Sequence, residues 1–289
     1  MVGRRLTIAL LVSAFAVRAG GTALGGRCPT PSPSSNRFDI RGLVTEDLLR
    51  RANHGRDVVR PDGTLALPPG IRRVWIDVGA HHLETTRAEF ERYPDLALVA
   101  IEPLAECWDR WPDDERLVGL PVAIFLERGF MDFHVNAADV TSSLAAGKPG
   151  SSAALLTRTV EVRRVPVLRL EDVLAALPDS VDIAYLKTDV QGVDLQVLQS
   201  AGERLRRVYR VRAEVIREAL YESVGGSRPG TEEEMAAHME GLGFRPTHDQ
   251  RTGRRDAWFD MEFVNVEGWS WADRVWQDLR FGRPVGEYE

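Results

Sequence analysis

Arg72 to Ala80 reads RRVWIDVGA, and a little further on Ala97 to Pro103 reads ALVAIEP. Each is a short apolar run that ends in an acidic residue beside a turn. An α/β nucleotide-binding sheet presents carboxylates to a ligand in this way, at its carboxyl edge. A third strand end, Ile183 to Gly192 (IAYLKTDVQG), completes the set. Together they point to a cofactor with an adenosine part.

Outward from these strands the pattern alternates. A strand over Val74 to Val78 is followed by a helix over Thr85 to Tyr93, a strand over Leu96 to Ile101, a helix from Leu104 to Trp111 and a strand over Leu117 to Ile124. Phe130 to Val135 and Val160 to Leu168 alternate polar with apolar, so they are expected to pair, as an insertion or an extension of the sheet. Then follow a helix over Leu170 to Leu177, a strand over Ala184 to Val190, a helix over Leu195 to Ala201 and a strand over Val208 to Val215. Thr231 caps a helix to Leu242, and Trp258 to Val266 reads as a final strand. The expected fold class is α/β, a mostly parallel sheet with helices on both faces. Before it, Thr45 to Arg51 reads as a short helix and Pro61 to Gly70 as a loop, so the body is expected to start near Ile71.

The 289 residues suffice for one large domain with a full core. A net charge of −6 argues against a nucleic-acid partner bound through a broad basic surface, and the arginine clusters read as solvated faces. Two cysteines, Cys28 and Cys107, allow at most one disulfide and no thiolate cluster. Arg4 and Arg5 precede an apolar run, Leu6 to Val17, too short to span a bilayer comfortably. Residues 1–26 therefore read as a signal peptide or an uncleaved signal anchor, with membrane attachment through residues 6–17 in the second case and a transit peptide as a third option. A secretory or extracellular location follows from the first two. Residues 27–70, opening with CPTPSPSSN, read as a Pro/Ser-rich linker and extension, 71–266 as the catalytic domain and 267–289 as a helical tail.

The chemistry lies at the strand ends. Gly79 permits a tight turn and close backbone approach to a ligand, and Asp77 either organises that turn or meets a ligand's ammonium group. A nicotinamide fingerprint would continue G-x-G-x-x-G, but His81 and Glu84 stand where the later glycines would fall. Glu84 would also repel a phosphate, which favours a cofactor with a cationic tail over NAD. Glu102 is placed to accept both ribose hydroxyls.

At this point the residues carry a family resemblance. IDVGAHHLETT at 76–86, AIEP at 100–103, VAIF at 122–125, SSL at 142–144, VPVLRLEDVL at 165–174 and LKTDVQGVDLQVL at 186–198 resemble the FkbM-type methyltransferases in order and spacing. The resemblance implies a seven-stranded, Rossmann-like class I methyltransferase fold that uses S-adenosylmethionine, usually to methylate a hydroxyl oxygen. It also implies that Asp77, Gly79, His81 and Glu102 bind the cofactor, with Val122 and Ala123 near the adenine. Lys187, Asp189 and Gly192 would border the reaction centre. Three positions depart from the family pattern: His81 replaces an asparagine, Leu83 a glycine, and Gln191 an acidic residue. Leu83 is expected to add bulk beside the methionine tail.

Methyl transfer to oxygen needs alignment and a base more than a metal. Asp189 is the first candidate base, with His82, His81 and His134 behind it, and Lys187 two residues before Asp189 could orient the acceptor oxygen. Glu214 is a further possible acceptor contact. No metal is expected, because His81 and His82 point apart if extended and no ligand spacing occurs. Trp258, Trp269, Trp271 and Trp276 read as packing residues, or as a sugar platform if Trp269 or Trp271 adjoins the pocket. The expected partner is a glycan or small hydroxylated metabolite, with the acceptor pocket built from loops around Asn136 to Ser152 and Gly225 to Pro229. Two readings of other classes compete: a catalytically degenerate binding module, and a nicotinamide-dependent oxidoreductase.

Overall fold

The computed structural model describes residues 37–247 and 257–267. The signal or anchor reading of residues 1–26, the CPTPSPSSN linker, Cys28 and the tryptophans of the tail all fall outside them. Among the described residues, no helix is long and apolar enough to cross a membrane.

Ten strands form two sheets. The larger contains β1 (Arg73–Val78), β2 (Leu96–Ile101), β3 (Leu117–Leu120), β7 (Asp182–Thr188), β8 (Val208–Ile216), β9 (Phe244–Pro246) and β10 (Trp258–Asn265). Its spatial order is β3-β2-β1-β7-β8-β10-β9. The first five of these pair in parallel, whereas β10 runs antiparallel between β8 and β9. Counted along the chain, the sheet is ordered 3-2-1-4-5-7-6 with the seventh strand reversed, and the expected α/β class is observed.

β1 and β2 are buried along their whole length because both faces of the sheet are covered. Val74, Ile76, Ala97, Val99 and Ile101 enter one core with α4 (Leu170–Ala176), α5 (Asp194–Gln199) and α6 (Glu232–Gly241). Trp75, Leu96, Leu98 and Ala100 enter the other with α2 (Arg87–Arg92) and α3 (Ala105–Trp108). A period of two sends neighbouring residues to opposite cores. Residues ahead of Ile71 also take part. The short helix expected there is α1 (Glu46–Ala52), capped by Thr45; it contributes Leu49, and Ile40, Val44, Val58 and Leu65 join the first core.

One strand expected from the sequence divides. Leu117 to Ile124 breaks at Pro121, so β3 ends at Leu120 and a two-residue strand, β4 (Ala123–Ile124), starts a second sheet. Proline lacks the amide hydrogen that would continue the ladder. β5 (Gly129–Asn136) and β6 (Thr159–Leu168) pair as anticipated, in antiparallel sense, and β4 joins them in the order β4-β6-β5, making an insertion rather than an extension of the main sheet.

Candidate active site

The chain leaves β1 toward one neighbour, β2, and returns beyond β7 on the other side, so the carboxyl ends of these strands flank a topological switch point. Open α/β sheets bind ligands there. A solvent-open cleft of about 540 Å³ occupies that place, lined by Val78, Gly79 and His81 after β1, Glu102 to Leu104 after β2, and Asp189 and Val190 after β7. Val122, Ala123, Ile124, Phe133 and Leu144 add an apolar wall.

Glycine at 79 is a steric requirement. Its φ is +76°, and a Cβ there would stand 2.0 Å from the Asp189 carbonyl oxygen. The β1 and β7 exits meet at this point, which brings Asp189 to the cleft beside Gly79.

Glu102 is buried, and both of its oxygens are held: Oε1 accepts the Leu104 N–H at 3.0 Å and Oε2 the His81 N–H at 3.2 Å. Burial raises its carboxyl to about 7, against the opposing pull of those two bonds. Each oxygen keeps further acceptor capacity, which suits a vicinal diol.

Asp77 and Lys187 lie behind the cleft rather than in it. Asp77 accepts from Thr86 Oγ1 at 2.7 Å and from Lys187 Nζ at 3.0 Å, and it is fully buried. Lys187 also donates to the Gly79 carbonyl at 3.1 Å and lies 3.6 Å from Asp189 Oδ2. Burial opposes its charge, but Asp77 and Asp189 outweigh burial and raise its pKa. With its ammonium so engaged, Lys187 organises the strand ends instead of orienting an acceptor oxygen. Both Asp77 oxygens are thus engaged by protein groups at the β1 end, Oδ2 by Thr86 and Oδ1 by Lys187.

The histidines depart from expectation. His81 has φ +42°, so the extended alternation fails and the His81 and His82 rings lie together, centroids 3.8 Å apart. His81 lines the cleft, and its carbonyl accepts Trp111 Nε1–H at 2.7 Å. His82 and His134 are not among the cleft residues. Burial lowers the pKa of both rings. Leu83, at φ +67° and fully buried, packs into the core and adds no bulk to the cleft.

Gln191, at φ +60°, ties Asp189 to Glu214, a possible acceptor contact in the sequence, and to Tyr221, which the sequence did not single out. Its Nε2 donates to Asp189 Oδ1 at 2.7 Å and Glu214 Oε2 at 3.1 Å, and its Oε1 accepts Tyr221 O–H at 2.9 Å. Burial and then the Asp189 charge push the Glu214 carboxyl up to about 9. Ser143 Oγ bridges to the Val190 and Gln191 carbonyls, both at 2.9 Å, and anchors the loop that adds Asp139, Val140 and Ser142 to the cleft. The SSL run at 142–144 was a signal for that loop; nothing local marked Tyr221.

The sheet order, reversed last strand and cleft define a protein of the class I methyltransferase fold. The chain belongs to the methyltransferase FkbM domain family, which matches residues 77–246. No curated protein matches it. Among solved structures it is similar to the antibiotic-resistance methyltransferase Kmr, at 13% identity over 68% of this chain and 89% of that one, TM-score 0.36. It is also similar to the mitomycin 7-O-methyltransferase MmcR, at 15% identity over 68% of this chain and 49% of that one, TM-score 0.36. A third is a 16S rRNA (adenine(1408)-N(1))-methyltransferase from Catenulisporales acidiphilia with cosubstrate SAM, at 14% identity over 70% and 88%, TM-score 0.36.

Proposed function

We propose that the protein transfers a methyl group from S-adenosylmethionine to a hydroxyl oxygen of a glycan or small metabolite. The observation that carries this reading is the pairing, in one cleft, of the buried Glu102 carboxylate with the half-exposed Asp189 carboxylate.

The residues present fit the cosubstrate. Glu102 would hold the ribose diol, and Val122 and Ala123 would flank the adenine. When bound, S-adenosylmethionine supplies an electrophilic methyl on a positively charged sulfur. Asp189 takes the proton from the acceptor hydroxyl, and Gln191 holds the carboxylate in place from Oδ1. Lys187 keeps the Asp77, Gly79 and Asp189 segments in register. Phe133 and Leu144 keep the apolar wall dry.

Isothermal titration of the full chain with S-adenosylmethionine, its demethylated product and NAD tests the reading, with Glu102→Gln as the control. Binding of the first two, weakened at least tenfold in the variant, is expected. A folded protein that binds neither leaves the degenerate binding module as the better reading. With binding established, transfer of labelled methyl to a panel of hydroxylated acceptors tests the acceptor class.

A further inference from the structure

The β1 exit and α3 bring together a donor set that methyl transfer does not use. A ring nitrogen of His81, a ring nitrogen of His82 and Cys107 Sγ all lie within 4.8 Å of one another. Two neighbouring residues can face one sulfur only because His81 adopts φ +42°, which turns both rings to the same side.

One buried nitrogen on each ring lacks a hydrogen-bond partner. His82 Nδ1 is buried and has no hydrogen-bond partner. His81 Nδ1 is 2.9 Å from Glu84 Oε1, while Nε2 faces Asp139 Oδ2 at 3.4 Å without hydrogen-bond geometry. If Nδ1 carries the proton given to Glu84, a lone pair on Nε2 points at a carboxylate oxygen. A cation relieves that opposition. Glu84 Oε2 also accepts the His82 N–H at 3.2 Å, so one carboxylate orients both residues, as outer-shell carboxylates do around metal-bound histidine.

We propose that His81, His82 and Cys107 bind a divalent cation of the zinc class. Two imidazoles and one thiolate are borderline-to-soft donors that suit zinc or cobalt and disfavour magnesium and calcium. Three protein donors leave the fourth tetrahedral position to water. Donors around a tetrahedral zinc lie about 3.5 Å apart, so side-chain rotation on the order of 1 Å closes the site. Binding exchanges the Cys107 S–H bond for a sulfur–metal bond, and the proton leaves to solvent. The ion would tie the Gly79–His81 turn to α3, which follows Glu102, linking two walls of the cleft. The site stands whether or not the cleft takes S-adenosylmethionine.

Chelator-treated full-length protein is titrated with Co²⁺ and followed by absorbance. One equivalent is expected to bind with tetrahedral visible bands and an ultraviolet thiolate-to-cobalt band, and one equivalent of Zn²⁺ should displace it. Cys107→Ser should abolish the thiolate band. Because Cys107 is buried and its replacement can perturb folding, His82→Asn and Glu84→Gln are tested in parallel, each expected to weaken Co²⁺ affinity by about tenfold or more. Absence of tight binding, a thiolate band that survives Cys107→Ser, or a Co²⁺ affinity unchanged in His82→Asn and Glu84→Gln overturns the site.

Discussion

Lys187 Nζ lies 3.0 Å from Asp77 Oδ1, and both side chains are almost wholly buried. Two strands separated by 110 positions in sequence are thereby joined by charge at the edge where the cleft begins. Removing one partner leaves the other charge uncompensated in the interior. Lys187→Met is expected to cost about 3–5 kcal/mol of stability, whereas the double variant Asp77→Leu/Lys187→Met recovers most of that loss. Urea denaturation of the two variants checks it, and equal losses in both would show that the pair is not electrostatically linked.

Glu102 carries a pH signature. Its carboxyl is raised from the ordinary 4.5 to about 7 by burial, so the folded protein binds more protons than the unfolded chain between those values. Stability therefore falls as pH rises from about 4.5 to 7. Diol binding needs the carboxylate, so S-adenosylmethionine affinity should rise over the upper part of that window. Glu102→Gln should flatten the affinity profile and lessen the slope of the stability profile, to which the raised Glu214 carboxyl also contributes, and denaturation and titration between pH 5 and 8.5 measure them.

Leu83 holds a left-handed backbone inside the core. Leu83→Gly relieves strain of about 1–2 kcal/mol but removes a fully buried side chain worth about 2–5 kcal/mol. Packing outweighs strain, and a net loss of about 1–3 kcal/mol is expected by thermal or chemical denaturation. A stabilised variant would mean that the strain dominates.

Gln191 separates two carboxylates by donating to both. Gln191→Glu replaces that donor with a third acid beside Asp189 and Glu214. A carboxyl in such company has a raised pKa when folded, so its cost is small in acid and grows as pH rises. The variant should lose more stability at pH 8 than at pH 5 relative to the parent protein. A loss independent of pH would point to a steric cause.

The strands of the main sheet were legible because burial on both faces writes itself as a continuous apolar run: Leu96 to Ile101 was read at its observed bounds. Leu117 to Ile124 was read too long, since residues on both sides of Pro121 are apolar and composition cannot tell which sheet each side joins. The acids at strand ends were visible for the same local reason. What each acid faces was not.

The amino-acid sequence by itself determined the alternation of strands and helices, the turn at Gly79 and the family to which the chain belongs, because these are written in short-range patterns of burial and backbone freedom. Only the tertiary structure decided that Lys187 turns inward to Asp77, that Gln191 bridges Asp189 to Glu214 and Tyr221, and that both histidines face Cys107. Those relationships join residues from separate elements, and their geometry is set by how the strand exits pack against one another and by left-handed turns that residue type alone does not announce.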